Sequence, residues 1–181
     1  CGYDPRDPHW CPAPLGVYPM GRKRPVVVCT SPGGVDADPF TGAAMERAAQ
    51  CLTQAGYTVE EAEPPRIREG ADLLVQLIAM ETRTFLAPVT GNMQLSENLT
   101  RYVEYFCRQF PDDTLAAYMG GYSLRTDIAR EWCAFFEKYP VLVAPGYLGP
   151  VPGPDFDIQN EEGLLSFFRG SMMIFMANLL G

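Results

Sequence analysis

The chain has 181 residues, 47% of them hydrophobic, enough to bury one core that amounts to a single domain or a large piece of one. Its 22 acidic and 14 basic side chains give a formal net charge of -8, and the one basic cluster, Arg22-Lys23-Arg24, is too short to neutralise a phosphate backbone, so no nucleic-acid partner is expected. The longest apolar stretch, 164–180, is broken by Arg169 and Asn178 and falls short of a bilayer span. It is expected as one buried core helix and not as a membrane contact, which would carry a lysine-rich face.

In chain order, residues 1–25 carry Pro5, Pro8, Pro12, Pro14, Pro19 and Pro25 and are expected as a proline-rich connector. Residues 26–181 are expected as the α/β portion. Val26-Val27-Val28-Cys29 is a continuous apolar run of the kind covered on both faces. After a turn region, Asp38-Pro39 supplies an N-cap and a first-turn proline. Met45, Ala48, Leu52 and Ala55 then repeat at helical steps, and Gly56 stands where a left-handed cap would end the helix.

Residues 57–60 alternate like a second strand, so strand, helix and strand form a crossover unit with parallel pairing. Past Pro64-Pro65, helical spacing links Ala71, Leu74, Leu77, Ile78, Glu81 and Phe85. A further helix carries Leu99, Val103, Phe106 and Phe110, with Ser96 as its N-cap and a break at Pro111-Asp112-Asp113. The next helix is expected over 123–139, on Leu124, Ile128, Trp132, Phe135 and Tyr139. Val141-Leu142-Val143-Ala144 reads as a third strand, apolar on both faces. It runs into a loop, 145–154, whose prolines and glycines exclude helix and internal strand. Loops at the carboxyl ends of buried parallel strands are where open α/β sheets hold ligands.

Candidate chemistry is sparse. The six cysteines include no C-x-x-C pair and the one histidine is His9, so no metal site and no cofactor is expected. Cys29 lies in a strand-like run, and Cys51, Cys107 and Cys133 fall in or beside apolar helical stripes, as free thiols in a reducing, cytoplasmic compartment would. A Cys1–Cys11 loop disulfide in an exported protein stays open as the alternative.

Ser31-Pro32-Gly33-Gly34 lacks the lysine and hydroxyl of a phosphate-binding loop and reads as a structural turn. No G-x-S-x-G elbow occurs, and Lys23 and Lys138 read as surface, so neither a Ser-His-Asp nor a Ser-Lys arrangement is assembled. Asp155, Asp157, Glu161 and Glu162 fit no EF-hand spacing and suit the start of a helix.

Several stretches together resemble the amidase signature family. Residues 26–65, VVVCTSPGGVDADPFTGAAMERAAQCLTQAGYTVEEAEPP, are similar to that family's strand, turn, helix, strand and double-proline unit. LRTDIAREWCAFFEKYPVLVAP is similar to its helix that leads into a "P/D-v-l-l-x-P" strand. Residues 168–181 resemble the helix ending in "N-l-x-G", and residues 1–14 the "l-x-G-x-D-p-x-D" segment that follows the signature region. The "Y-x-x-D-x-f-T" stretch of the A subunit of glutamyl-tRNA amidotransferases is absent, which points to a free-standing amidase.

The resemblance implies an α/β/α sandwich around a mixed, largely parallel sheet, and hydrolysis of a carboxamide by a serine nucleophile with a second serine and a lysine, beside a glycine-rich oxyanion hole. Those groups belong upstream of Cys1. The chain is therefore expected to be a fragment with no catalytic residue of its own and no activity alone. Its expected role is to wall the pocket for a small-molecule amide substrate, with Tyr147, Leu148 and Phe168 facing that substrate. The carboxyl-terminal helix, apolar nearly all round, is expected to leave an exposed patch that drives self-association. The alternative is a non-catalytic α/β ligand-binding or interaction module, which the same strand-helix order would support.

Overall fold

Three consecutive valines set the frame. The structure, a computed structural model, describes Arg6 and residues 24–86, 95–110 and 114–181. Strand β1, Val26–Val28, is buried throughout and pairs in parallel with β2, Val59–Glu61, on one side and with β3, Val141–Val143, on the other. Val27 stands opposite Glu60 and Leu142. Paired on both edges and buried on both faces, β1 offers a space that β-branched side chains fill well.

Helix α1, Pro39–Gln54, joins β1 to β2. The Asp38 carboxylate accepts from the Phe40 and Thr41 amides at 3.0 and 3.4 Å, as its place before Pro39 predicts. At the other end Gly56 has φ 82°, the Gly56 amide donates to the Thr53 carbonyl at 2.8 Å, and the Tyr57 amide donates to the Leu52 carbonyl at 3.0 Å. That double closure is a Schellman cap, which needs a left-handed residue where the glycine stands.

The centre of the molecule is α2, Ile67–Glu81, continued by a π turn at Thr82–Leu86. One face carries Ile67, Ala71, Leu73 and Leu77 against Ile128 and Trp132 of α4, Leu115–Lys138, and against Met172, Met176 and Leu179 of α7, Met172–Leu180. The opposite face carries Val75 and Ala79 against Phe106 of α3, Glu97–Gln109, and Leu164 and Phe168 of α6, Glu161–Gly170. Two core clusters thus share one helix, which explains why its apolar residues exceed a single stripe. A one-turn helix, α5, Phe156–Gln159, precedes α6.

Four expectations change. Helix α4 starts at Leu115, capped by the Thr114 hydroxyl, and not at 123. Gly120-Gly121 does not interrupt it, because Gly121 lets α4 approach Leu73 and Leu77 of α2. The stretch 164–180 is two helices bent by 65° at Ser171. The cause is local: the Ser171 amide turns back to the Phe167 and Phe168 carbonyls at 3.0 and 3.2 Å, and Gly170 lies under the Tyr147 ring.

Strand β3 is not covered on both faces, since Val141 is 42% exposed and Leu142 and Val143 are only half-buried; it is also an edge strand among the described residues. Cys51 and Cys133 are exposed and so lie off the buried faces of their helices, whereas Cys29 is buried. The connector 1–25, with His9, Lys23, Cys1 and Cys11, and the break at 111–113 lie outside the described residues, apart from Arg6, Arg24 and Pro25.

Among the described residues no single helix is long and apolar enough to cross a membrane; α6 and α7 reach that length and composition only as a bent pair.

Candidate functional site

The segments leaving the carboxyl ends of β1 and β3 converge on the start of α2 and the end of α6. After β1 the chain turns through Pro32–Gly34, with Gly33 and Gly34 at φ 65° and 66°. A Cβ on Gly33 would lie 3.0 Å from Arg68 Cγ and 3.2 Å from Met172 Sδ. The Arg68 guanidinium donates to the Gly33 carbonyl, and the Ser31 hydroxyl donates to Asp36 at 3.0 Å. The turn is held by side chains of the fold itself, in agreement with its structural reading.

After β3 the loop is fastened at Leu148. Its carbonyl accepts from the Asp38 amide at 2.7 Å and its amide donates to the Gly170 carbonyl at 2.9 Å, so one residue ties the loop to the start of α1 and the end of α6. Its side chain is buried in the larger core cluster. Tyr147, half-buried, lays its ring against Gly170 and 6.2 Å from the Phe167 ring.

Two clefts open there. The first, about 350 Å³, is lined by Arg68, Asp72, Phe110, Phe168 and Phe175. The second, about 460 Å³, is lined by Asp36, Tyr147, Leu148, Phe156 and Ser166. Val35 and Arg169 belong to both walls, so the clefts adjoin. The three residues expected to face substrate are therefore divided: Tyr147 and Leu148 line one cleft and Phe168 lines its neighbour.

Phe168 is held by rings on several sides, with centroids 5.7 Å from Phe106, 5.6 Å from Phe175 and 6.4 Å from Phe110. Edge-to-face packing of this kind fixes ring orientation and leaves a rigid apolar wall.

Sequence reading did not single out Val35, Arg68, Asp72 or Arg169. The signal was present for three of them: Arg68 and Asp72 are four apart and so share a helix face. Arg169 also interrupts an apolar run, where a charge has to reach a surface. Burial raises the Asp72 carboxyl above the ordinary carboxylate range, against the pull of the Arg68 guanidinium. The Arg169 guanidinium lies 3.5 Å from Glu162.

Other groups are spent on structure. Burial, with Glu63 and Glu61 nearby, pushes the Cys29 thiol up to about 11, so it is no nucleophile near neutrality. Ser96 caps α3, and Ser171 is buried at the bend. Lys138 is exposed, its ammonium 4.4 Å from the Tyr139 ring.

The acidic group disperses as well. Asp155 accepts from Asn98 at 3.3 Å, Glu161 pairs with Arg108 at 2.7 Å, and Asn160, which caps α6, accepts from the Gly163 amide at 2.8 Å. Among the described residues no three His, Cys, Asp or Glu side chains lie close enough to hold a metal ion.

No family model matches the chain. An indoleacetamide hydrolase of Bradyrhizobium diazoefficiens is 34% identical over 180 residues, which are 98% of this chain and 34% of that protein. The chain is homologous to part of an amidase signature enzyme. An indoleacetamide hydrolase of Bradyrhizobium japonicum is 31% identical over 192 residues, again 98% of this chain and 38% of that protein.

The chain thus spans about a third of the length of these amidase signature relatives. The fold agrees: a fatty acid amide hydrolase chain superposes with a TM-score of 0.62 at 15% identity, over 82% of this chain and 26% of that one. The described strands and helices form the α/β arrangement expected of such an enzyme, with a small parallel sheet and a larger share of helix.

Proposed function

We propose that this chain supplies sheet, helices and one wall of the substrate pocket in an amidase signature enzyme that hydrolyses a carboxamide C–N bond. Water is added across that bond, and a carboxylic acid leaves with ammonia or an amine. The observation that carries the reading is the aromatic cleft at the strand ends, in a segment whose relatives are indoleacetamide hydrolases. Phe168 and Phe175 present rigid ring surfaces that suit a flat aryl-acetamide, and Tyr147 and Leu148 bound the adjoining cleft. Arg169, shared by both, is placed to meet the polar end of a substrate.

The nucleophile and the oxyanion hole are assigned to parts of the enzyme outside these residues. Lys138 is the sole lysine among the described residues and stacks on a tyrosine at the surface. Oxyanion stabilisation, usually the largest single contribution to rate, is on this reading supplied from elsewhere in the enzyme and not by the described residues.

Two measurements test this together. Equilibrium dialysis of the 181-residue chain against indole-3-acetamide should show saturable binding that Phe168→Ala weakens about tenfold, the scale of one lost aromatic contact. Chromatography of the same mixture should show no indole-3-acetate above background. Turnover that disappears on replacing Ser31 or Ser166 by Ala would place the chemistry inside the chain and overturn the assignment. Binding indifferent to Phe168 would remove the pocket wall.

A further inference from the structure

A third cavity lies where α2 passes into its π turn, and it shares no lining residue with the two clefts. Glu81, Thr84 and Phe85 face Leu115 and Tyr118 of α4 across about 250 Å³, with Met80 also in the wall. Phe85 is 64% and Leu115 75% exposed. Large apolar side chains facing water around a hollow, with a few convergent polar groups, have the make-up of a small-molecule site.

The polar component is unusual. The Tyr118 hydroxyl donates to Glu81 Oε1 at 2.8 Å, and the Tyr122 hydroxyl reaches the same oxygen at 3.2 Å. The two rings meet edge to face with centroids 5.1 Å apart. Hydrogen bonding to Tyr122 and to Glu81 keeps the Tyr118 hydroxyl protonated well above the ordinary tyrosine range. Both donors converge on Oε1, and Oε2 accepts from none of the described residues. Among the described residues no basic side chain lines the cavity.

We propose that this cavity binds a protonated amine carried on a short apolar or aromatic body. The ammonium meets Glu81 Oε2 and the ring faces of Tyr118 and Phe85, and the apolar body lies against Met80 and Leu115. A cation satisfies the open oxygen and gains from the aromatic quadrupoles. A neutral ligand of the same shape would cover Oε2 without replacing its water. The proposal does not depend on the amidase reading, because it uses none of the cleft residues.

The test is calorimetric titration of the 181-residue chain with phenethylammonium at neutral pH, beside 2-phenylethanol, which has the same body and no charge. Phenethylammonium should bind at a single site at least about tenfold more tightly than the alcohol, the ordinary margin of a charge-assisted contact. Glu81→Gln keeps an amide oxygen for both tyrosines and should remove that margin, while Arg169→Gln should leave it unchanged. Should Glu81→Gln fail to fold, Phe85→Ala on the rim should weaken the ammonium several-fold more than the alcohol. Equal affinities for the two probes, no saturable binding, or an unchanged margin in Glu81→Gln or Phe85→Ala would each overturn the proposal.

Discussion

Gly170 shows how much a single position can carry. It closes α6, its carbonyl receives the Leu148 amide, and the Tyr147 ring lies where its side chain would project. Gly170→Ala should therefore displace Tyr147 and loosen the loop after β3, at a cost of about 1–3 kcal/mol as an overpacked site, read as a lowered urea midpoint with an unchanged slope. Asp72 makes a prediction in pH. Its folded-state pKa lies above the unfolded value because burial disfavours the charge. The fold therefore loses stability from this group as pH rises through that pKa, and regains it below the unfolded value. Asp72→Asn should stabilise the protein at neutral pH and lose that advantage in acid, seen by comparing melting temperatures at pH 7 and pH 3. A variant equally stabilised at both would show that packing and not charge decides the site. Gly170 was not legible in sequence as part of the site, since a ring over a glycine depends on a residue of another element, whereas the Arg68 and Asp72 spacing was visible but not the cleft that the pair lines.

At the level of elements, local signals were read well and long-range packing was not. Asp38-Pro39, Gly56 and Ser96 ended up as the caps their spacing predicts, because capping is settled within four residues. Helix α4 starts eight residues before the expected position because Gly120-Gly121 lowers helix propensity locally while Leu73 and Leu77 of α2 reward the close approach. The two glycines should separate these effects. Gly120 has open space around it, so Gly120→Ala should add about 0.5–1 kcal/mol of stability. A Cβ on Gly121 would meet Leu77 Cδ2 at 2.9 Å, so Gly121→Val should cost about 1–3 kcal/mol. Denaturant midpoints of the pair check both signs, and a stabilised Gly121→Val would mean that α4 does not sit where it is described.

Helix α7 corrects a further expectation in the same way. Met172, Met176 and Leu179 are buried, and Met173 packs against the core, so only Ile174, 48% exposed, leaves a large apolar face open. Ile174→Lys should be nearly neutral for stability and Met173→Lys destabilising, a contrast visible in thermal melts.

For the whole molecule, the order of strands and helices and the kinship to amidase signature enzymes were legible because they rest on apolar period and punctuation along the chain. The site was legible only as a place, the loop after β3, because which side chains line a cleft depends on how α2, α3, α6 and α7 meet. Tyr147, Leu148 and Phe168 were expected in one pocket and stand in two adjoining ones, bridged by Val35 and Arg169. The central proposal is that this joint cleft receives an aryl-acetamide. Amide-resolved NMR titration of the isotopically labelled chain with indole-3-acetamide tests it most directly. Saturable shifts centred on Val35, Asp72, Phe168 and Arg169 are the predicted result. No saturable shift, or shifts centred instead on residues remote from both clefts, such as those of α1, would contradict it.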